Sequence, residues 1–377
     1  MSVGSATHGG ANQELLAGFR AGQRYALARA ISLVENMRPG FESLLHDLYG
    51  DIGGARRVGI TGPPGAGKST LTSRLTLVYR GRGESVGVVA VDPSSPFTGG
   101  ALLGDRIRMA NVSTDPGVFI RSMAARGSLG GLAMTTREVA DVMDAFGFEQ
   151  ILTETVGVGQ SEMEITQAAD SVVVVLVPES GDSIQAMKAG LMEIADIFVV
   201  NKADRPGADR LVQELELMLH MRLGEVTGGA GHHGAGALGA GPRGRARAKE
   251  RAADEGSWSI PVLKTVAQSG EGVETLVATL DRHSVYLRES GELRARREKR
   301  VVERVRGLVE RELRRQVWDR RGGWDLLQQA LPDLAAGGES PYTLASRIVS
   351  AVVPAWGNAV EVTEVSPQDR ASGKAGG

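Results

Sequence analysis

Residues 62–69 form a glycine-rich loop whose residue types suit phosphate binding. They read Gly-Pro-Pro-Gly-Ala-Gly-Lys-Ser and match the pattern G-x-x-x-x-G-K-[ST] in full. A β-type run at Val58–Ile60 precedes the loop and a helical pattern follows it, as this motif requires. The glycines let backbone N–H groups face phosphate oxygens, and the helix amino terminus adds its positive dipole end. The expected phosphate-binding residues are Gly62, Pro63, Pro64, Gly65, Ala66, Gly67, Lys68, Ser69 and Thr70.

Two side chains of this loop have specific roles in the expected chemistry. Lys68 should reach the β and γ phosphates, and the Ser69 hydroxyl should bind Mg²⁺. A chance match is the alternative in a chain with 51 glycines, but the strand–loop–helix context argues against it. The loop alone does not choose between adenine and guanine.

A second motif indicates guanine rather than adenine as the base. Asn201-Lys202-Ala203-Asp204 follows an apolar run and has the N-K-x-D spacing of GTPases. The Asp204 carboxylate can accept hydrogen bonds from both N1–H and N2–H₂ of guanine, a bidentate pair that adenine cannot supply. Asn201 and Lys202 would brace this loop and cover the base. Val266 and Ala267 are the expected backbone contacts to the base, on a weak match of Thr265–Ala267 to the Ser-Ala segment of GTPases.

Two acidic residues follow apolar runs in the same way. Asp92 follows the run at Val86–Val91, and Glu154 begins a segment at the place where most GTPases have D-x-x-G. A carboxylate there holds Mg²⁺ directly or through water, and the longer Glu favours the water-mediated contact. No Gln follows Gly157 directly, so the usual water-positioning residue is missing. We therefore expect slow intrinsic hydrolysis that needs a partner or a rearrangement.

The apolar runs that position these residues are typical of buried parallel strands. Each run is short and rich in Val or Ile, with a helical pattern before the next. Their polar ends fall where ligands bind in such sheets. The sequence thus predicts an α/β fold with a mostly parallel, doubly wound P-loop NTPase sheet. The runs are Val58–Ile60, Val86–Val91, Gln150–Thr153, Val172–Val177, Ile197–Val200 and Val262–Leu263.

Other segments flank this sheet. Residues 12–48 predict two helices separated by Pro39-Gly40. Residues 224–256 are rich in Gly, Ala and Arg, a low-complexity insertion that we expect to be disordered. Arg294–Arg315 predicts a charged helix whose apolar stripe packs on the core or on a second subunit. The predicted organisation is a helical extension at 1–54, a GTP-binding domain at 55–283, a helical arm at 284–363 and a disordered tail at 364–377.

Composition narrows the possible functions further. The chain has 377 residues, a net charge of −2 and no cysteine, which excludes disulfides and thiol chemistry. The near-neutral charge predicts no nucleic-acid or membrane partner. The amino terminus has no apolar segment typical of a secretory signal, and the most apolar run is too short to span a bilayer. We expect a cytoplasmic protein.

Several sequence blocks occur together in one known family. They are Ala90–Ser95, Gly104–Met109, Glu154–Glu162 and Met187–Asp196, the last running into Asn201–Asp204. With these blocks the chain resembles the methylmalonyl-CoA mutase-associated GTPases, the MeaB/ArgK group. The resemblance covers about residues 12–224 and 258–350. The combination is specific, because other GTPases do not share these blocks together.

The resemblance implies a SIMIBI-class GTPase with an N-terminal helical extension and a C-terminal dimerisation arm. It implies a homodimer that uses GTP or GDP and Mg²⁺. It also implies that the protein binds an adenosylcobalamin (B12)-dependent acyl-CoA mutase, gates cofactor loading and protects the mutase from inactivation.

The same likeness implies roles for particular residues. The expected catalytic residues are Lys68, Asp92, Asp105 and Glu154, and the expected metal ligands are Ser69, Asp92, Asp105 and Glu154. Arg108 belongs to a mobile switch, and residues 178–188 resemble a loop that relays nucleotide state to the mutase, with Asp182, Gln185 and Lys188 as its polar residues. The alternative for Asp105 and Arg108 is a helix surface pair with i,i+3 spacing. Without the likeness, Asp182 and Lys188 would be interpreted as ordinary polar loop residues.

Two other functions stay open at this point. One is a metal-delivery GTPase of the same superclass, which would need Cys or His clusters, whereas the chain has no cysteine and only 6 histidines. The other is a kinase linked to amino-acid transport. The insertion, the polar tail and Pro178–Gly181 depart from the family pattern. The partner mutase is left open among methylmalonyl-, isobutyryl- and 2-hydroxyisobutyryl-type enzymes.

Overall fold

The computed structural model describes residues 5–93, 110–125, 131–155, 165–180, 191–227, 257–320 and 322–352. Within these ranges seven strands form one sheet: β1 (Arg56–Thr61), β2 (Val86–Pro93), β3 (Val118–Ala125), β4 (Gln150–Glu154), β5 (Ser171–Leu176), β6 (Ile197–Asn201) and β7 (Val262–Thr265). Their order across the sheet is β3-β2-β4-β1-β5-β6-β7. All neighbouring strands are parallel, so their carboxyl ends meet at one edge.

Helices connect the strands and extend the chain at both ends. They are α1 (Ser5–Arg20), α2 (Arg24–Glu35), α3 (Phe41–Leu48), α4 (Lys68–Gly81), α5 (Ala110–Ser113), α6 (Gly131–Phe146), α7 (Ala208–Thr227), α8 (Val273–Glu289), α9 (Glu292–Arg315), α10 (Gly323–Ala335) and α11 (Pro341–Val352). Short 3₁₀ turns lie at Tyr49–Asp51, Ile165–Gln167 and Pro178–Ser180, and a π-helical turn at Gln316–Arg320.

The structure confirms the predicted fold class and all six predicted strands. β3 was not predicted, because Arg121 and Ser122 interrupt its apolar residues. It pairs with β2 over its whole length, with Val86 opposite Val118 and Pro93 opposite Ala125. Pairing with β2, the strand before it in the chain, therefore accounts for β3 at the edge of the sheet.

Both faces of the sheet are covered by apolar side chains. On one face, α4 and α8 pack through residues such as Leu71, Leu75 and Leu276 against Ile60 and Val173. On the other face, α2 and α6 form one cluster with β2 and β4, and α7 forms a second with β5 and β6. Helices on both faces of a parallel sheet are the doubly wound arrangement that the strand pattern predicts.

The amino-terminal helices differ from the prediction. Two helices were expected over residues 12–48, but the structure has three, because the first predicted helix is interrupted between Arg20 and Arg24. Gly22 lies in this break with φ +72°, a left-handed conformation that ends a helix at low cost for glycine. Leu27, Ile31 and Leu44 of these helices are fully buried in the cluster that also contains α6.

The chain divides into two compact units, Met1–Glu298 and Lys299–Gly377. The second unit contains a small apolar cluster around Ala330, Leu344 and Ile348. Among the helices that the structure describes, none combines the length and hydropathy that a membrane span needs. The domain boundaries at 54, 283 and 363 stay predictions. Residues 228–256 of the insertion and the tail at 364–377 lie outside the described residues.

A buried polar network lies at the amino-terminal edge of β5 and β6. His283 is fully buried, and its Nδ1 is 2.8 Å from the Ser171 hydroxyl. Its Nε2 is 3.5 Å from the Asp196 carboxylate, which accepts a bidentate pair from Arg296 at 2.9 and 3.0 Å. The Trp258 ring lies 4.5 Å from the imidazole, and its indole N–H donates to the Asp196 carbonyl. Burial lowers the pKa of His283 from 6.5 to about 4, against the opposing effect of Asp196.

Candidate nucleotide-binding site

The glycine-rich loop joins β1 to α4 at the carboxyl edge of the sheet. Gly62 has φ +137° and Gly67 has φ +86°, conformations that residues with a side chain rarely adopt. A Cβ atom at Gly62 would lie 2.0 Å from the Val175 carbonyl oxygen, and one at Gly67 would lie 2.4 Å from Asn201 Nδ2. The two glycines are therefore required both by backbone conformation and by close contact with the neighbouring strands.

The Lys68 side chain lies over this loop. Its ammonium group donates hydrogen bonds to the carbonyl oxygens of Gly62, at 2.8 Å, and Pro63, at 3.0 Å. The residue is buried, so its charge stays next to the first turn of α4, where backbone N–H groups have no partner within the helix. A cation and a helix amino terminus together form a site for a phosphate group.

Glu154 lies against the first turn of α4. Its Oε1 accepts a hydrogen bond from the Ser69 hydroxyl at 2.6 Å, and its Oε2 is 3.2 Å from the Thr72 hydroxyl. All three residues are buried. The structure thus brings together the carboxylate and hydroxyl that the sequence predicts around Mg²⁺, and these hard oxygen atoms are the ligands that Mg²⁺ prefers. Thr72 was not predicted, although its position one helical turn after Ser69 puts it on the same face of α4.

The structure describes only the backbone of one further predicted metal or switch residue, Asp92. Asp92 lies near the end of β2, and Ala90 pairs with Glu154, so Asp92 is at the same edge of the sheet as Glu154. Nothing is described of its side chain. The remaining predicted residues lie outside the described residues: Asp105, Arg108, Asp182, Gln185 and Lys188.

Asn201 connects the phosphate loop to the two strand ends beyond it. Its Nδ2 donates to the Ala66 carbonyl at 2.8 Å, and its Oδ1 accepts from the Thr265 hydroxyl at 3.1 Å and the Ala267 amide at 3.0 Å. The side chain is buried, with its main hydrogen-bonding positions in use. One amide side chain therefore fixes the phosphate loop relative to the loop after β7.

Asp204 lies in the turn that follows Asn201. Lys202 has φ +56°, and the Arg205 amide donates to the Lys202 carbonyl at 3.0 Å. Asp204 is exposed at this turn, as a carboxylate that receives a base from solvent must be. Arg205 pairs with Glu179 in the 3₁₀ turn after β5. This pair lowers the pKa of Glu179 through a hydrogen bond and ties two neighbouring loops together.

The two predicted backbone contacts to the base already have partners within the protein. The Val266 amide donates to the Glu271 carbonyl at 3.0 Å, and the Ala267 amide donates to Asn201. A base would share these donors, so their role stays a prediction. The loop after β7 is also held by Arg74 of α4, whose Nε donates to the Ala267 carbonyl at 3.0 Å. Sequence reasoning missed Arg74, because nothing in the spacing of residues on α4 indicates this contact.

A parallel sheet with a complete phosphate loop, and an N-K-x-D loop at the same edge, defines a P-loop GTPase. The sequence model of the family described as methylmalonyl-CoA mutase-associated GTPase MeaB matches residues 27–321. The chain belongs to this family, and the resemblance noted from the sequence blocks is confirmed.

Similarity to individual proteins supports this family assignment. A protein of Pyrococcus horikoshii that carries the name of a GTPase is 48% identical over 296 residues, 78% of this chain and 85% of that protein. The mouse protein named methylmalonic aciduria type A homolog, mitochondrial, is 34% identical over 303 residues, 75% of this chain and 66% of its own length. A crystal structure of a LAO/AO transport system kinase has a TM-score of 0.61 at 25% identity, covering 93% of this chain and 99% of that one.

Proposed function

We propose that this GTPase is a Mg²⁺-dependent chaperone of an adenosylcobalamin-dependent acyl-CoA mutase, with methylmalonyl-CoA mutase as the first candidate. In this role it gates loading of the B12 cofactor and protects the mutase from inactivation. The observation that carries the proposal is the match over residues 27–321 to a family described by its association with that mutase. The name of the mouse relative, which refers to methylmalonic aciduria, supports the same partner class.

The residues present fit a nucleotide-bound Mg²⁺. Ser69 and Glu154 would hold the ion, together with Asp92 and Asp105, because their side chains offer hydroxyl and carboxylate oxygens. When bound, Mg²⁺ neutralises the charge that develops on the β and γ phosphate oxygens during hydrolysis. Glu154 lies within hydrogen-bond distance of Ser69, so these two of the four expected ligands are already together.

The chain's own residues account for phosphate binding and base choice. Lys68 exchanges its two carbonyl partners for phosphate oxygens, and the backbone N–H groups of residues 65–69 orient the phosphates. Glu154 accepts a hydrogen bond from the attacking water and orients it. Asp204 accepts the two guanine donors, and Asn201 keeps the base loop in register with the phosphate loop.

The apolar stripe of α9 supports a homodimer. Val302, Val305 and Val309 follow helical spacing and are 64%, 53% and 52% exposed. A stripe of this kind on a highly charged helix is stabilised by packing against a second apolar surface. We expect Val305→Glu with Val309→Glu to give a monomer in analytical ultracentrifugation. The exposed-face change Glu310→Gln is the matched control and should leave the dimer intact.

Residues 178–188 are the proposed relay to the mutase, with Asp182, Gln185 and Lys188, and Arg108 is the proposed switch. The segment begins directly after β5, which lies beside β1 and its phosphate loop. Order–disorder changes in such segments are a common response to loss of the γ phosphate. The ion pair between Glu179 and Arg205 links the start of this segment to the base loop.

The test is a GTPase assay with and without purified methylmalonyl-CoA mutase. We expect the mutase to accelerate hydrolysis, because it would complete or reshape a site that lacks the usual Gln. Its affinity for the chain should depend on the nucleotide, because a nucleotide and a partner change each other's binding by the same factor. Asp182→Ala and Lys188→Ala should reduce this acceleration while leaving basal hydrolysis near normal. Absence of any binding to an adenosylcobalamin-dependent mutase, in either nucleotide state, would refute the partner. Equal loss of basal and stimulated rates would place the relay residues in the catalytic site.

The solved relative named as a transport system kinase favours a second candidate function. A kinase would transfer the γ phosphate to a protein side chain rather than to water. Incubation with γ-labelled GTP and a lysate of the host separates the two. Labelled inorganic phosphate is expected for the GTPase, and a labelled protein band would support the kinase.

A further inference from the structure

Arg74 lies on α4, on a turn beyond the phosphate loop, and contacts the loop after β7. Its Nε donates a hydrogen bond to the Ala267 carbonyl at 3.0 Å, and a second guanidinium nitrogen donates to the Gln268 carbonyl. The planar guanidinium thus holds two consecutive carbonyl groups with one rigid fork. The side chain is half-buried, so these bonds are partly protected from water.

The opposite side of the same loop is fixed by Asn201. The Ala267 amide donates to Asn201 Oδ1 at 3.0 Å, and the Val266 amide donates to the Glu271 carbonyl. Arg74 and Asn201 therefore hold the Ala267 backbone from its carbonyl and its amide. Because the structure describes no cis peptide bond, the Ala267 carbonyl and the Gln268 N–H point in opposite directions.

These contacts orient the Gln268 amide. Since Arg74 binds the Ala267 carbonyl, the Gln268 N–H points away from Arg74. Gln268 is exposed, and its amide has no acceptor within the described part of the chain. An N–H held in this way can donate a hydrogen bond to a keto oxygen of a base. An amino group at the same place on a base offers it no acceptor.

We propose that Arg74 is a positioning residue for base selection, which holds the Gln268 N–H ready for the keto oxygen of guanine. The proposal rests on the base site proposed above. The contacts of the base with the loop after β7 and with Asp204 are those expected from the GTPase pattern. The new elements are Arg74 and the Gln268 amide, which takes the 6-keto contact because the Val266 and Ala267 amides already have partners. The 6-keto contact and the Asp204 contact can be tested separately, because inosine nucleotides keep the 6-keto group and lack the 2-amino group.

The experiment compares the affinities of GDP, IDP and ADP for the full chain by isothermal titration calorimetry. For Arg74→Ala we expect about tenfold weaker binding of GDP and of IDP, with ADP unchanged, as when a charge-assisted hydrogen bond is lost. Arg74→Lys should fall between, because an ammonium group cannot bridge both carbonyls. The matched control is Arg82→Ala, which removes the same charge from just beyond the end of the same helix and should bind like the wild type.

Three outcomes would overturn the proposal. An unchanged GDP affinity in Arg74→Ala would remove any role for this side chain, and an equal loss of all three nucleotides would show an effect on the phosphate site or the fold. A wild type that binds ADP as well as GDP would refute the base site itself, and Arg74's role with it. Melting temperatures without nucleotide check folding. If Arg74→Ala does not fold, Arg74→Lys decides, with intermediate GDP and IDP affinity expected and wild-type affinity contradicting the proposal.

Discussion

Acid should destabilise the first unit through the single buried histidine of the described core. His283 is fully buried with a pKa of about 4, whereas a histidine in an unfolded chain titrates near 6.5. Between these two values the unfolded chain binds more protons than the folded chain. Stability therefore falls as the pH is lowered through this window, and the loss is complete below about pH 4.

The size of the effect follows from the pKa difference. A depression from 6.5 to about 4 corresponds to about 3 kcal/mol between the two protonation states. Most of this free energy, about 2 kcal/mol, is lost between pH 7 and about pH 5, because the unfolded histidine is protonated over this range. That is a large fraction of the roughly 5–15 kcal/mol by which domains are stable.

Trp258 offers a local signal for the measurement. Its ring lies 4.5 Å from the imidazole, and the other three tryptophans of the chain are Trp318, Trp324 and Trp356. Replacing those three by Phe leaves Trp258 as the only indole fluorophore. Urea unfolding of this protein, followed by fluorescence at several pH values, gives the free energy of unfolding against pH.

The contribution of His283 is isolated by substitution. In a His283→Asn variant the amide can still reach Ser171 but does not titrate, so its stability should be lower at pH 7 and change about 2 kcal/mol less on acidification. His46→Asn, at an exposed position, is the matched control and should keep the wild-type slope. If His283→Asn loses as much stability on acidification as the wild type, the buried imidazole is not the titrating group and the reasoning fails.

The remaining predictions concern the nucleotide site and the insertion. Lys68→Ala should abolish tight GTP and GDP binding in calorimetry, because the loop loses its cation; retained affinity would contradict this. Glu154→Ala should bind GTP but hydrolyse it at least tenfold more slowly in a phosphate-release assay, and a normal rate would exclude its assigned role. Asp204→Asn should weaken GDP and favour xanthine nucleotides in competition assays, whereas equal wild-type affinity for ATP and GTP would contradict the base site. Deleting Gly228–Glu255 should leave the melting temperature and GTPase rate nearly unchanged, since this composition buries little apolar surface; a large drop in melting temperature would show a structural role.

The central strands β1, β4, β5 and β6, which are almost entirely buried, could be predicted from their composition. β5 reads Ser-Val-Val-Val-Val-Leu and is buried throughout, so its composition alone indicates a central strand. β3 carries Arg121 and Ser122 in its centre, and Arg121 pairs with Glu35 of α2. That ion pair joins residues far apart in the chain, so only the folded structure explains why a charged residue is acceptable in this strand.

In the nucleotide site, too, local motifs could be predicted, whereas contacts between distant segments could not. The phosphate loop and the N-K-x-D loop are contiguous in sequence, and their backbone requirements leave fixed residue spacings. Asn201 was expected to brace its own loop, but its bond to the Ala66 carbonyl depends on how β6 and β1 are placed in the sheet. The contacts of Arg74 with the loop after β7 arise in the same way, from packing that no local pattern records.

Trp258 lies at the carboxyl end of the insertion at residues 228–256, whose length can therefore be changed between two fixed points. Residues 228–256 begin directly after α7, whose Leu211 and Leu215 are in the core, and end just before Trp258, which is fixed to the Asp196 carbonyl. For the disordered segment that its composition predicts, the entropy cost of closing the loop grows only logarithmically, by about 0.6 kcal/mol for each doubling of its length. A folded reporter domain inserted between Thr227 and Ser257 would therefore destabilise the GTPase unit little. This position is suitable for attaching a label to the protein.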